Sequence, residues 1–93
     1  MKLPTQYKTL NTKQKRSIRN RYIGLQKGLC YYCKKPLIGE PPPKVKSKPL
    51  DLTKFPKYFF NYPIHLHHDH KTGMTLGVVH NYCNAVLWQY HGE

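Results

Sequence analysis

Two runs of sequence decide the fold of this chain: PIHLHHDHKTG at residues 63–73 and TLGVVHNYCN at residues 75–84. Five of the protein's six histidines lie between positions 65 and 80, and this crowding indicates a metal site. In the first run, apolar Ile64 and Leu66 alternate with histidines, which is the two-residue period of a strand with one buried face. The same alternation predicts that the adjacent His67 and His68 point to opposite sides of the strand end.

The second run predicts a strand over residues 75–80 and a helix that begins at Asn81. The turn between the two strands has Gly73 at a point where a positive φ is useful. The order strand, turn, strand, helix should therefore return Asn84 to the side of His67. The buried side of this helix is predicted to carry Val86, Leu87 and Tyr90, with Gly92 ending it.

The three cysteines cannot all pair as disulfides, and their spacing suggests a metal instead. Cys30 and Cys33 form a C-x-x-C knuckle, while His80 and Cys83 form an H-x-x-C knuckle, and both have zinc-ligand spacing. A 93-residue chain buries a small core, so a structural metal would add needed stability. A redox pair with one buried free thiol is the alternative.

The chain resembles a known family in four stretches: residues 26–33, residues 65–73, Leu76-Gly77 and Cys83-Asn84. These stretches are similar to the first zinc knuckle and the active-site motif of the HNH endonucleases. The nearest likeness is to the recombination endonuclease VII-like branch, which has the ββα-metal (His-Me finger) fold. The resemblance covers roughly residues 12–35 and 63–92, and residues 36–62 have no counterpart.

The resemblance implies the α+β fold class, as a small zinc-stabilised ββα-metal domain with an N-terminal basic helix. We expect one nuclease domain over residues 1–93. Its parts would be a basic helical arm at 1–29, a zinc knuckle with a proline-rich insertion at 30–62, and the ββα-metal core at 63–92.

The resemblance also implies a reaction, the metal-dependent hydrolysis of DNA phosphodiester bonds by nicking or double-strand cleavage. By position in the motif, His68 would be the general base, and His67 and Asn84 would hold a catalytic divalent metal. His70 would touch the phosphate or complete the metal shell. Cys30, Cys33, His80 and Cys83 would hold the structural Zn²⁺.

Two residues depart from the family pattern. The family more often has aspartate at the position of His67 and cysteine at the position of His80. Imidazole is an ordinary zinc ligand, so zinc remains the expected metal at His80. At His67 imidazole is a softer ligand than carboxylate. We therefore expect Mg²⁺ to support activity less well, relative to Mn²⁺ or another divalent transition metal, than it would at a site with only oxygen ligands.

Two further polar residues of the motif have local interpretations. Asp69 could bind metal, but a short carboxylate at this position equally predicts a cap on the backbone of the turn at residues 72–73. His65 is predicted to be a packed histidine that contacts other residues of the site rather than the metal or the phosphate.

The charge of the chain, +12 in total, is unevenly distributed. Residues 1–57 contain fifteen of the sixteen lysines and arginines and only two acidic residues, whereas the remainder has a net charge of −1. The partner is therefore expected to be a polyanion. The predicted phosphate contacts are Lys13, Lys15, Arg16, Arg19 and Lys71.

The basic residues of the N-terminal half are expected on an amphipathic helix over residues 13–26. Asn11 or Thr12 would cap its start, and Gly28 is suited to end it. Its buried stripe is predicted to comprise Ile18, Tyr22 and Leu25.

Seven of the eight prolines fall within residues 36–63, which predicts a stiff, extended surface segment without regular helix. This segment could clamp a duplex or be a tolerated insertion. The aromatic residues in the last part of this segment are expected in the core against the zinc-bound scaffold rather than as a base-stacking platform. They are Phe55, Tyr58, Phe59, Phe60 and Tyr62.

Three classes of function are consistent with these features. The first is a DNA endonuclease acting on duplex or branched DNA, as a monomer or a homodimer. The second is a zinc-stabilised nucleic-acid-binding module without turnover, and the third is an RNA-directed nuclease or a hydrolase of another phosphoester. No apolar run is long enough for a membrane span and no signal peptide is evident. We therefore expect a cytoplasmic protein in a bacterial or phage-infected cell.

Overall fold

The computed structural model describes residues 3–91 as a small α+β structure with one two-stranded antiparallel sheet. Its helices and strands are α1 (Thr12–Leu25), α2 (Pro43–Lys46), β1 (Ile64–His68), β2 (Thr75–His80) and α3 (Asn81–His91). Short 3₁₀ turns cover Tyr7–Thr9, Leu52–Lys54 and Phe59–Asn61. In the described part of the chain, no helix combines the length and apolar character needed to cross a bilayer.

Helix α1 is capped by Asn11, one of the two residues predicted to cap it, and the cap is a capping box with Gln14. The Asn11 side chain accepts a hydrogen bond from the Gln14 backbone at 2.8 Å, and the Gln14 side chain accepts one from the Asn11 backbone at 2.9 Å. These reciprocal bonds satisfy two backbone donors that a helix start otherwise leaves unpaired. The helix ends where Gly28, at φ +75°, donates its N–H to Ile23.

The buried stripe of α1 is shorter than predicted. Ile18 and Tyr22 are buried, but Leu25 is 68% exposed. The next residue, Gln26, covers β2 instead: its carboxamide accepts from the Val78 N–H and donates to the Val78 carbonyl. A polar side chain suits this position because it satisfies strand-edge backbone groups that leucine could not.

Strands β1 and β2 form a hairpin whose register contains one irregularity. Ile64 pairs with His80 at one end, while at the other end His67 pairs with Gly77 and His68 pairs with Thr75. One extra residue of β2 therefore lies between these last two pairs, as in a β-bulge. The predicted turn is confirmed, with a glycine at φ +76° at position 73.

The unpaired edge of β2 is covered by the N-terminal segment. Thr5 accepts a backbone hydrogen bond from Thr75, and Tyr7 donates one to Gly73. The side chain of Thr75 also bonds the Thr5 N–H and the Tyr22 hydroxyl. Covering the edge in this way removes an exposed row of backbone donors and acceptors, and it carries Tyr7 to the end of the hairpin.

Helix α3 is buried along part of the predicted face. Cys83, Val86 and Leu87 are buried, but Tyr90 is 45% exposed, contrary to the prediction. The Tyr90 hydroxyl instead donates to the Pro49 carbonyl, so this end of α3 holds the proline-rich segment by a hydrogen bond. The predicted stop at Gly92 lies outside the described residues.

The proline-rich segment contains a helical turn, which corrects the prediction of an extended excursion. Helix α2 has Pro43 at its start, where a missing N–H has no cost because the first helical turn has no acceptor for it. Val45 of this turn is buried, and α2 packs against α3. The segment is therefore attached to the domain by apolar contact.

Gly77→Ala is expected to lower the free energy of unfolding by about 1–3 kcal/mol. An added Cβ would lie 2.5 Å from Gln26 Oε1 and 2.9 Å from Tyr31 Cδ1. Gln26 cannot give way freely, because its carboxamide bonds both backbone groups of Val78. Urea unfolding measures the change. The matched control is Gly24→Ala in α1, where nothing lies within 4 Å and alanine should stabilise by up to about 1 kcal/mol.

Candidate functional site

The two knuckles predicted from sequence come together in one cluster. Cys30, Cys33, His80 and Cys83 place their ligand atoms within 4.8 Å of one another. Within residues 3–91 no other set of three or more His, Cys, Asp or Glu side chains converges in this way. The cysteines are not joined by disulfides. This Cys₃His group could bind zinc.

The spacing and orientation of the cluster fit a tetrahedral metal. His80 Nδ1 lies 3.4 Å from Cys33 Sγ and 3.6 Å from Cys83 Sγ. Ligand bonds of about 2.0–2.3 Å around zinc give ligand-to-ligand distances of about 3.3–3.8 Å. His80 Nε2 lies 2.8 Å from the Pro36 carbonyl, to which it donates, and this leaves Nδ1 as the nitrogen with a free lone pair.

The three cysteines differ in acidity. A hydrogen bond from the Cys83 thiol lowers the pKa of Cys30, against the opposing effect of burial, and the same bond raises the pKa of Cys83. Burial also raises the pKa of Cys33. Cysteine binds zinc as the thiolate, so binding of zinc to this group would release protons.

A separate groove of about 790 Å³ contains most of the other predicted site residues. His67, His68, His70 and Asn84 line it together with Lys15, Arg16 and Arg19 of α1. Two predicted phosphate contacts do not line it. Lys13 lies on another face of α1, beside Asn20 and Arg21, and Lys71 is exposed in the turn between β1 and β2.

His67 and His68 both line this groove, as do the other three residues of β1. The irregularity in the register of the hairpin lies between these two histidines. His67 is buried, whereas His68 keeps partial exposure. One histidine is therefore held rigidly and the neighbouring one is accessible.

The ring of His68 is held by a contact that the sequence did not predict. Tyr7 stacks on it with the ring centroids 4.0 Å apart and the planes 7° from parallel. The Lys15 ammonium lies 4.3 Å from the centroid of the Tyr7 ring, and His70 meets His68 edge-on at 4.8 Å. Nothing local marks Tyr7, because the contact depends on the N-terminal segment folding along β2.

Burial lowers the pKa of His68 to about 4, and electrostatic interactions with His70, His67 and Lys15 act in the same direction. The imidazole is therefore neutral at physiological pH and has a lone pair with which it can accept a proton. Its lowered pKa makes it a weaker base than an unperturbed histidine.

Asn84 is paired with a histidine other than the one predicted. Its Nδ2 lies 3.1 Å from His65 Nδ1, and both residues line the groove with His67. Burial lowers the pKa of His65, which keeps Nδ1 available as an acceptor. Since the amide nitrogen is used in this bond, the Asn84 Oδ1 atom is the one free to meet a ligand. The prediction that His65 contacts other residues of the site is consistent with this hydrogen bond.

Asp69 caps the turn. Its carboxylate accepts hydrogen bonds from the Lys71 N–H at 2.7 Å and from the Thr72 N–H at 3.3 Å. These bonds hold the pKa of Asp69 below its usual value. The turn-capping interpretation is confirmed, and the side chain is used in shaping the loop that carries His70.

The aromatic residues of the insertion lie at the groove and on the surface, which corrects their prediction as core. Tyr58 and Tyr62 are 61% and 68% exposed, and Phe55 and Phe59 are half-buried and line the groove. Trp88, which no sequence pattern singled out, lines it as well. The buried core is formed by other residues, among them aliphatic side chains of β2 and α3.

Comparisons with protein-family models, with curated proteins and with solved structures find no match to this chain.

Proposed function

We propose that this protein is a metal-dependent endonuclease of the HNH, ββα-metal type that hydrolyses DNA phosphodiester bonds. The observation that supports this most is the groove. It joins the four side chains expected in catalysis, on β1, the following turn and α3, to three cations of α1. A neutral imidazole beside a cationic surface is the arrangement that water attack on a phosphate ester requires.

The role of His68 follows from its surroundings. Its neutral ring accepts the proton of the attacking water, and the stacked Tyr7 keeps the ring in one orientation. Arg16 and Arg19 bind the phosphates on either side of the reacting one, since guanidinium groups pair with phosphate oxygens in bidentate geometry. His70 lies beside His68 and contacts the phosphate at the groove mouth.

His67 and the Oδ1 atom of Asn84 would hold the catalytic metal. A divalent cation there supplies neutralisation of the phosphate charge and stabilisation of the leaving 3′ oxygen. His65 acts through Asn84, because its hydrogen bond to Nδ2 directs the carboxamide oxygen away from itself. With only two protein ligands, phosphate and water would supply the remaining ligands, and metal affinity should therefore rise when substrate is bound.

The Cys₃His cluster has a structural role in this proposal. It joins the knuckle after α1 to the end of β2 and to the start of α3, the helix that carries Asn84. Four protein ligands leave no open position for chemistry, which is typical of structural zinc.

The test is relaxation of supercoiled plasmid by the zinc-loaded protein, with Mg²⁺, Mn²⁺, Ni²⁺ or Co²⁺ added singly. We expect nicked circles only when a divalent metal is added, and faster nicking with the transition metals than with Mg²⁺, because imidazole is a softer ligand than carboxylate. Omission of metal is a cleaner control than a strong chelator, which would also remove zinc. Tight binding without cutting under every metal would instead support a binding module, and cutting of structured RNA alone would support an RNA-directed enzyme.

Loss of the α1 arginines is expected to weaken DNA binding in a salt-dependent way. In the double variant Arg16→Ala, Arg19→Ala, the negative slope of log K against log salt should become shallower by about 2, because each phosphate contact contributes about 1 to its magnitude. Fluorescence anisotropy between 50 and 200 mM salt, conditions chosen for counterion release, measures it. The matched control is Lys35→Ala, Lys44→Ala, which removes two exposed cations outside the groove. Equal slopes in the two double variants would show that Arg16 and Arg19 of α1 do not contact DNA phosphates.

A further inference from the structure

One wall of the groove is a continuous aromatic surface, here called the aromatic wall, made of Phe55, Phe59 and Trp88. The ring centroids of Phe55 and Trp88 lie 5.4 Å apart in an edge-on arrangement. Those of Phe55 and Phe59 lie 4.9 Å apart, with the two rings tilted. Phe59 in turn meets His65 at 4.6 Å, with the planes 85° apart. The aromatic wall therefore connects through His65 to Asn84, the proposed metal ligand.

The aromatic wall is accessible. Trp88 is 40% exposed, and Phe55 and Phe59 are half-buried. Trp88 also follows Asn84 by four residues on α3, so both lie on the same helix face, about 6 Å apart along the axis. A group stacked on Trp88 would be a close neighbour of a phosphate held at Asn84.

The same groove is positively charged. Lys15, Arg16 and Arg19 line it from α1, and Lys54 lines it from the insertion beside Phe55. No aspartate or glutamate among the described residues lines it. Cations that follow a phosphate backbone combined with aromatic faces form the usual binding surface for single strands. A duplex presents only base edges and backbone, so it cannot use the flat faces of aromatic rings.

We propose that the aromatic wall is a stacking subsite for an unpaired base next to the scissile phosphate. The preferred substrate is then a single strand or a locally unpaired segment of nucleic acid rather than uninterrupted duplex. The position of the phosphate rests on the proposed function, whereas the stacking itself depends only on the wall and the cations.

The test uses the full chain, zinc-loaded and without added catalytic metal, so that binding is measured without cutting. Trp88 is the protein's single tryptophan, and stacking on it should quench its fluorescence. The probes are a DNA single strand, the same strand with one abasic position, the matching duplex, and an RNA strand of the same sequence. We expect quenching and tighter binding for the single strands, and weaker binding of the best-placed abasic strand by roughly 5- to 100-fold.

Variants separate stacking from packing. Phe55→Leu and Trp88→Leu keep an apolar side chain but remove the flat ring, and each should weaken single-strand binding several-fold while leaving duplex binding unchanged. Labelled strands report the affinity of the Trp88 variant. Tyr58→Leu is the control, because Tyr58 is an exposed aromatic residue of the same segment that does not line the groove.

The outcomes are distinguishable. Three results would refute the stacking subsite even if the protein cuts plasmid. They are no quenching of Trp88 fluorescence, equal affinity for the abasic and intact strands, or tighter binding of duplex than of single strand. Quenching and single-strand preference in a protein that never cuts would support the subsite and refute the endonuclease. A ribose strand that binds better than the deoxyribose strand supports the subsite and identifies RNA as the source of the unpaired base.

Discussion

Replacing His68 with alanine is expected to slow phosphodiester cleavage by a factor of about 10² to 10⁴, because the attacking water loses its proton acceptor. His68 is partly exposed in the groove, and its ring is neutral and stacked on Tyr7. Single-turnover nicking of plasmid with Mn²⁺ measures the rate. The affinity for uncut DNA should remain within a few-fold of the original, since the phosphate-binding cations are unchanged.

The control for this variant is His91→Ala. His91 is an exposed histidine at the end of α3 whose recorded contacts are with Tyr32, outside the groove. The His91→Ala variant should nick plasmid at the rate of the unaltered protein. If His68→Ala kept the rate of His91→Ala, with both proteins folded by circular dichroism, water activation would have to come from another residue.

Loss of the Cys₃His cluster is expected to unfold the domain. Cys83 is fully buried and belongs to the H-x-x-C knuckle, so Cys83→Ser should lower zinc affinity and leave a poorly matched polar group in the core. A domain of this size has only about 5–15 kcal/mol of stability, and zinc binding in small domains contributes on that scale. Circular dichroism should show that the variant is already unfolded at room temperature and has no cooperative melting transition.

His80→Ala and His91→Ala form the matched pair for this prediction. Both remove one imidazole, but only His80 belongs to the cluster. One zinc per chain is expected in His91→Ala and less than one in His80→Ala, by elemental analysis. A metal-free protein that melts at the same temperature as the loaded one would show that the cysteines stabilise the fold as ordinary buried thiols.

The His68 and Cys83 predictions concern two different sites, the groove and the Cys₃His cluster, so the two variants should behave differently. His68→Ala should stay folded and lose rate, whereas Cys83→Ser should lose rate only because it loses the fold. Addition of Zn²⁺ to stripped protein should restore folding before any other metal restores cutting. This order of recovery distinguishes a structural metal from a catalytic one.

Elements with strong local signals were predicted well. The strand at Ile64–His68 follows from alternation, the strand at Thr75–His80 follows from its apolar residues, and α1 follows from the capping residues at its start. Local signals suffice here because the backbone state of such segments depends mainly on residues within one or two turns. The spacing of C-x-x-C and H-x-x-C likewise predicts each pair of ligands, whereas the meeting of the two pairs is a tertiary contact.

Side-chain exposure was predicted less well at the ends of helices. Leu25 and Tyr90 continue the apolar pattern of α1 and α3, yet both are exposed. A periodic pattern identifies which face of a helix can be buried, but the length of that face depends on how far the neighbouring element extends. At these two ends polar contacts of Gln26 and of the Tyr90 hydroxyl take the place of burial.

The amino-acid sequence by itself determined the order of strands and helices, the cluster of zinc-type ligands, and the charge that indicates a polyanionic partner. Only the tertiary structure decided that Tyr7 stacks on His68, that Asn84 pairs with His65, and that the insertion supplies an aromatic wall. The physical reason is distance along the chain. Each of these contacts joins segments that lie far apart in sequence, and such contacts depend on the packing of whole elements rather than on any local preference.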